Sequence, residues 1–249
     1  MTDLSATRDA LRAITTHVMV RAMQPSTDRI SLRPAPGGWA TPTFGAERRR
    51  LRIANGVLFD ERDGNDGARV RAIGISGATM GELAAFAEVD LADVVWVGDD
   101  TPPLGDVAAP IELDPAAMAM MADCYDVTAR ALDRLVVEWP AWASPSVPQL
   151  WPEHFDLAID IAVAADIGAG DAASRRANVG GSPGDGYHDG PYLYVGPWTS
   201  DRPGDPTYWN APFGAVLAVD ALGSTGSPDE RAEVAAAFFV RGLRLLAAG

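Results

Sequence analysis

Residues 150 to 209 hold most of the side chains in this chain that can do chemistry. They include two of the three histidines and four of the five tyrosines, so the search for a site starts there. His154, Asp156 and Asp160 lie close together, and His188 follows within Tyr187-His188-Asp189. Two imidazoles and a carboxylate can hold zinc or iron and leave one position open for water. His154, Asp156 and His188 are therefore candidate metal ligands, with Asp160, Asp189 or Glu153 as a fourth ligand or general base. A metal-dependent hydrolase or oxygenase would follow, and a zinc or iron ion is the only cofactor candidate. No His-x-His or His-Glu-x-x-His pattern accompanies them.

The same segment suits a second chemistry better. Small-molecule pockets are mostly apolar and aromatic, with a few placed polar groups. His154, Asp156, Asp160, Tyr187, His188, Tyr192, Tyr194 and Trp198 supply that mixture, so a ligand-binding pocket lined by residues 150–209 is the favoured reading. The competing role for the rings is packing in the core and at its rim.

Two strands must position these groups. Phe155, Leu157, Ile159, Ile161 and Val163 alternate with His154, Asp156, Ala158, Asp160 and Ala162, which predicts a half-buried strand with His154, Asp156 and Asp160 on its other face. A strand from Tyr192 to Trp198 puts Tyr192, Tyr194 and Trp198 on one side, Leu193 and Val195 on the other. The Gly-rich stretch 178–186 has the composition of an anion nest. With no arginine or lysine from 177 to 201, it reads as an inter-strand loop.

Two long helices frame the segment. Asp114-Pro115 is an N-cap followed by proline at the first helical position, opening a helix over about 115–139. Cys124 on that helix reads as a small buried hydrophobe. Ser227-Pro228-Asp229-Glu230 opens a second helix over about 228–247, with Val234, Phe238, Phe239, Leu243, Leu245 and Leu246 as its apolar face.

Further toward the N-terminus, residues 4–23 have helical periodicity and Pro25 is expected to end that helix, with His17 as a packing residue at the edge of its apolar stripe. Asn55-Gly56 signals a type I′ hairpin that pairs Ile53 with Leu58 and, less comfortably, Leu51 with Asp60. Residues 60–67 have calcium-loop residue types in the wrong order and read as a turn. A strand over 70–75 leads to Ser76, which resembles a nucleophile elbow but lacks parallel neighbours and reads as a helix N-cap. Short strands are expected at 94–97 and 214–219. The fold class is α+β: a mainly antiparallel sheet with helices packed on it. Residues 1–249 read as one domain, with a two-lobed division near 140–150 as the alternative.

Composition narrows the partners. All 20 basic residues are arginine, which removes lysine chemistry, and the net charge is −14. Residues 1–75 carry 12 Arg against 8 acids, whereas the remainder carries 8 against 26. Between Arg71 and Arg130 stand ten or more carboxylates and no cation, so nucleic acid is not an expected partner. The acidic 88–126 surface suits either solubility or a basic protein partner. With no long apolar run and no signal-like start, the expectation is a cytoplasmic protein without a membrane partner.

One resemblance joins these elements. Ser144-Pro145, the run Leu150-Trp151-Pro152-Glu153-His154-Phe155-Asp156-Leu157-Ala158 and the strand Pro191-Tyr192-Leu193-Tyr194-Val195-Gly196-Pro197-Trp198 resemble an uncharacterised bacterial family over roughly residues 114–220. Its members show Ser-Pro, His-Phe and Phe-Asp-Leu-Ala after a long helix, then an aromatic strand containing proline. That family separates His-Phe from Phe-Asp-Leu-Ala, whereas here the two motifs overlap. It carries no assigned activity, so the resemblance implies an order of elements only.

Overall fold

Asp3 starts the first helix by accepting the amide of Ala6 at 3.0 Å, as an N-cap does. Helix α1 (Leu4–Ile14) widens into a π-helical stretch, Thr15–Val20, and resumes as α2 (Arg21–Thr27). Pro25 does not end it: the helix continues to Thr27 and closes at Asp28, which is left-handed at φ 53°. The missing proline N–H follows closely on the π stretch, where the hydrogen-bond register has already shifted. His17 packs as expected, buried with Nε2 2.7 Å from the Pro102 carbonyl.

The computed structural model describes residues 3–64, 67–92, 96–163, 176–223 and 226–248. It divides into two units, Met1–Ala122 with Gln149–Phe155, and Asp123–Pro148 with Asp156–Gly249. In the first unit, β1 (Arg33–Ala35), β2 (Gly38–Ala40), β3 (Arg50–Ala54), β4 (Val57–Gly64) and β5 (Gly67–Gly74) form an antiparallel sheet in chain order. Asn55 and Gly56 take φ of 51° and 74°, the two positive values a type I′ turn demands. Ile53 faces Leu58 and Leu51 faces Asp60, as the sequence indicates.

The awkward Leu51–Asp60 pair has a physical resolution. The fully buried Asp60 side chain receives Arg49 at 2.9 Å, Arg62 at 3.0 Å, and Arg71. Arg49 and Arg71 also donate to the carbonyls of Ala87 and Phe86, at the end of helix α3 (Met80–Phe86). Burial alone would raise the Asp60 pKa; hydrogen bonds from Arg62, Arg49 and Arg71 overcome it and hold the group down to about 2. Arg49, Arg62 and Arg71 thus serve the structure by neutralising a buried carboxylate.

Helix α3 is capped by Thr79, in a capping box with Glu82, so the cap expected of Ser76 lies three residues later. Ser76 is exposed, and its hydroxyl meets the Leu113 amide at 3.5 Å. Of the strand expected over 94–97, Val94 and Val95 lie outside the described residues, and Trp96 and Val97 are not in a strand. Helix α4 (Pro115–Glu138) begins in the first unit and runs into the second; Asp114 caps it by accepting Ala116 N–H at 2.7 Å. β6 (Gln149–Trp151) returns to the first unit, where Leu150 and Leu32 exchange backbone hydrogen bonds of 2.9 and 3.1 Å.

In the second unit β7 (Asp156–Ala162), β8 (Arg176–Ser182), β9 (Tyr192–Pro197) and β10 (Ala215–Ala218) run antiparallel in the order β10-β9-β8-β7. One face is apolar and buried: Leu157, Ile159, Ile161, Val179, Leu193 and Val195. Helix α4 lies close against Gly181, where a Cβ would stand 2.1 Å from the Thr128 hydroxyl. Helix α5 (Pro228–Ala248) buries Ala232, Ala235, Ala236, Phe239, Gly242 and Leu243. Val234, expected on that face, is 51% exposed. The buried stripe uses small residues, which lets the helix approach closely and turns Val234 outward. The fold is α+β, with antiparallel sheets. No helix among the described residues is long and apolar enough to cross a membrane.

Candidate functional site

The period-two pattern places His154 beside Asp156 on one strand face. Phe155 breaks that pattern. Its φ of 59° is left-handed, and its amide bonds the Trp151 carbonyl at 2.7 Å, closing a turn over 151–155. The strand therefore begins at Asp156, and the expectation of a strand from residue 154 is corrected. The cause is packing: the Phe155 ring is fully buried and meets Trp39 edge-on, with centroids 5.1 Å apart. An interior aromatic contact outweighs the roughly 1–2 kcal/mol cost of a left-handed non-glycine residue.

His154 consequently sits in the first unit with its imidazole 59% exposed. Nδ1 lies 3.5 Å from Asp100, and Nε2 lies 3.9 Å from Glu153. Ligand atoms of Asp100, Glu153 and His154 all lie within 4.8 Å of one another. Arg12 ties this group together by donating to the main-chain oxygens of Asp100 and Glu153. The other two expected ligands have different partners. Asp156, 7% exposed, accepts the Tyr194 hydroxyl, and His188 places Nδ1 2.8 Å from the Gly190 carbonyl. The donor set that assembles around His154 is thus Asp100 and Glu153.

The aromatic half of the expectation gathers in the second unit. Register sets Tyr194 opposite Gly180, and Gly180 opposite Ala158. Side chains two apart on a strand share a face, so Asp156 and Asp160 of β7 lie on the same side as Tyr192 and Tyr194 of β9. Gly180, between them on β8, has no side chain to block the Tyr194 hydroxyl from reaching Asp156. Tyr192 donates to Asp185 in the same manner. Asp185 also accepts the amides of Tyr187 at 2.8 Å and His188 at 3.1 Å, an Asx turn that folds both residues back over the strand.

Four rings close a circuit there. Tyr187 and Tyr192 lie 6.2 Å apart at 70°, Tyr192 and Tyr194 6.3 Å at 56°. Tyr194 and Phe213 lie 6.5 Å apart at 84°, and Phe213 and Tyr187 5.0 Å at 77°. His188 abuts Tyr192 from the side, at 5.7 Å. Tyr187 is 45% and Phe213 37% exposed, so one half of the circuit faces water while Tyr192 is buried. Burial, followed by the neighbouring carboxylate, pushes the Tyr192 and Tyr194 phenols well above their ordinary pKa. Both stay neutral donors throughout the physiological range.

No match decides a family. A scan against protein-family models finds none, and neither the curated proteins nor the solved structures contain a match. The side chains themselves carry the reading.

Asp160 and Trp198, also expected at the site, form a separate group further along the sheet. Arg176 clamps Asp160 with two 2.7 Å hydrogen bonds and lies 5.7 Å from the Trp198 ring, whose N–H donates to Asn178 at 3.0 Å. Sequence reasoning missed Asp185, which Asp-Gly marks only as a turn, and Phe213, which no spacing connects to the tyrosines. It also missed a half-open cleft of about 200 Å3 in the first unit, lined by Leu11, Trp39, Ile53, Pro115, Met118 and Met121. That cleft has no titratable lining and offers volume without chemistry. In the acidic 88–126 stretch, Glu88 pairs with Arg62 at 2.8 Å, Asp123 with Arg231 at 2.6 Å and Asp126 with Arg130 at 2.8 Å. Part of that charge is neutralised within its own unit.

Proposed function

We infer that this protein binds a small molecule on the aromatic and carboxylate face of its second unit. The observation that carries the reading is the circuit of Tyr187, Tyr192, Tyr194 and Phe213, backed by Asp156 and Asp185. Rings supply apolar contact area with little side-chain freedom to lose, and the two acid–phenol pairs fix polar groups beside them. Tyr187 and Phe213 leave part of their rings open to solvent, where a ligand can reach them. A thermal-shift screen of a diverse small-molecule library tests this. Ligands that stabilise the wild type are expected to lose their effect in Tyr187→Ala and Phe213→Ala. If every stabilising compound acts equally on both variants, the site is elsewhere.

A second reading is favoured by one observation, the convergence of His154, Asp100 and Glu153 in the first unit. An imidazole with two carboxylates suits zinc or iron. Under this reading, zinc titrated into metal-stripped protein binds in one equivalent and is lost in His154→Ala but retained in His188→Ala. Equal binding by the wild type and His154→Ala refutes it.

A further inference from the structure

We propose that the half-open cleft of the first unit binds a compact neutral aromatic molecule of one or two fused rings. The site belongs to the other unit from the four-ring circuit, and the inference does not rest on the reading given for that circuit.

Space comes first. The cleft holds about 200 Å3. An apolar cavity of about 150 Å3 is enough to take up benzene. Helix α1 contributes Leu11, the first sheet Trp39 and Ile53, and α4 Met118 and Met121. Leu11, Trp39, Ile53 and Met121 are otherwise interior side chains, so the floor is held by the core. The sides are held as well. The Asp114 amide, at the start of α4, donates to the Thr7 hydroxyl of α1 at 3.0 Å. The Asn55-Gly56 turn meets α4 at Met118, whose sulfur would stand 3.2 Å from a Cβ on Gly56.

The turn requires its glycine, but nothing local requires Ala119 and Ala122, which also line the cleft, to be small. Leucine and methionine favour a helix nearly as well as alanine does. Short side chains thus leave the space open between walls that the cap and the turn fix.

The lining then selects the ligand. None of its side chains ionises. A charged molecule would exchange its hydration for apolar contacts without a counter-ion, a costly transfer. Water is poorly served too, because it needs about two to four polar partners and the one polar side chain in the lining is Asn55. The Asn55 amide stands at the rim over Gly37, whose Cβ would lie 3.4 Å from both Oδ1 and Nδ2. It makes no side-chain hydrogen bond among the described residues, so it is available to one hydroxyl or N–H of a ligand. The Trp39 N–H is already donated to the Thr15 hydroxyl at 2.9 Å, and its indole therefore offers the cleft an apolar ring. Thioethers make favourable contacts with aromatic rings, and methionine adapts to the outline of what it meets. Trp39, Met118 and Met121 together favour a ring over a saturated hydrocarbon of the same size.

The test uses the full chain with isotope-labelled methionine methyls, so that nuclear magnetic resonance of Met118 and Met121 reports on the cleft directly. Benzyl alcohol, benzylammonium and benzoate share one ring and differ in charge at neutral pH. Benzyl alcohol is expected to shift both methyls saturably and to bind at least tenfold more tightly than either ion. Cyclohexylmethanol, its saturated counterpart, is expected to bind at least threefold more weakly. Ala119→Phe places a ring in the wall at an exposed helical position, so the fold is kept, checked by circular dichroism, and benzyl alcohol is weakened at least fivefold. Asn55→Asp retains a turn-forming pair and is expected to raise the affinity of benzylammonium relative to benzyl alcohol at least threefold. Equal affinity for the three charge forms overturns the neutral assignment, and equal affinity for cyclohexylmethanol overturns the aromatic one. If no probe moves the two methyls, or if Ala119→Phe binds as the wild type does, the cleft is not a site.

Discussion

The Tyr194 hydroxyl donates to the Asp156 carboxylate across an intervening strand, over a residue, Gly180, that has no side chain. One ring of the circuit is thereby fixed to a charge that lies 38 residues away in sequence. Hydrogen bonds to charged groups contribute about 1.5–3 kcal/mol each. Tyr194→Phe is expected to lower the unfolding free energy by about that amount, read by urea denaturation. It also leaves the carboxylate without this donor, so it should weaken any ligand of the four-ring circuit. An unchanged denaturation midpoint would show that the pair adds nothing to stability.

Asp60 makes the first unit sensitive to acid. Its folded pKa, about 2, is lower than that of an aspartate in the unfolded chain, about 3.9. The unfolded state therefore binds the proton first. The stability contributed by the Arg49–Asp60–Arg62–Arg71 cluster is present above pH 4 to 5 and is lost as pH falls through the folded value. From the shift it amounts to about 2 kcal/mol. Asp60→Asn is expected to flatten the dependence of stability on pH between about 5 and 2. A slope identical to the wild type in that window would sink the assignment.

Gly242 on α5 marks a close approach in the second unit. A Cβ there would stand 2.4 Å from the Tyr208 hydroxyl oxygen, which itself donates to the Phe238 carbonyl at 2.8 Å. Gly242→Ala is expected to cost about 1–3 kcal/mol through overpacking. Combined with Tyr208→Phe, the loss should be smaller than the sum of the two single changes, because the second removes the atom the methyl strikes. Strict additivity in chemical denaturation would place the strain elsewhere.

Cys124 is fully buried on α4, and burial pushes its thiol up to about 12. The thiol, not the thiolate, is therefore present at neutral and mildly alkaline pH. Ellman's reagent at pH 8 is expected to label no thiol in the native protein and one per chain in 6 M guanidinium. Rapid native labelling would mean that α4 opens locally.

Much of this architecture is written locally. Asn55-Gly56 specifies its own turn and hence the register of β3 with β4. Asp114-Pro115 and Ser227-Pro228 mark the starts of the two long helices, and the alternation after Asp156 specifies β7. Each signal is short-range: a cap, a pair of positive φ angles, a two-residue period. The same reasoning placed Tyr192 and Tyr194 on one face of a strand, because nothing between them interrupts the extended backbone.

What the tertiary structure alone decided is where that periodicity stops. A two-residue period assumes every backbone unit is extended, and a single left-handed residue reverses which side the preceding chain faces. Phe155 is that residue, held there by burial against Trp39, a neighbour more than a hundred positions away. His154 is carried from Asp156 to Asp100 and Glu153 by that one contact. Asp185 joins Tyr192 through a hydrogen bond across the turn, and Phe213 joins Tyr187 and Tyr194 through ring contacts that no local spacing marks. Caps, turns and alternation are settled between neighbours in the chain; the membership of a site is settled between residues that meet only when the chain is folded.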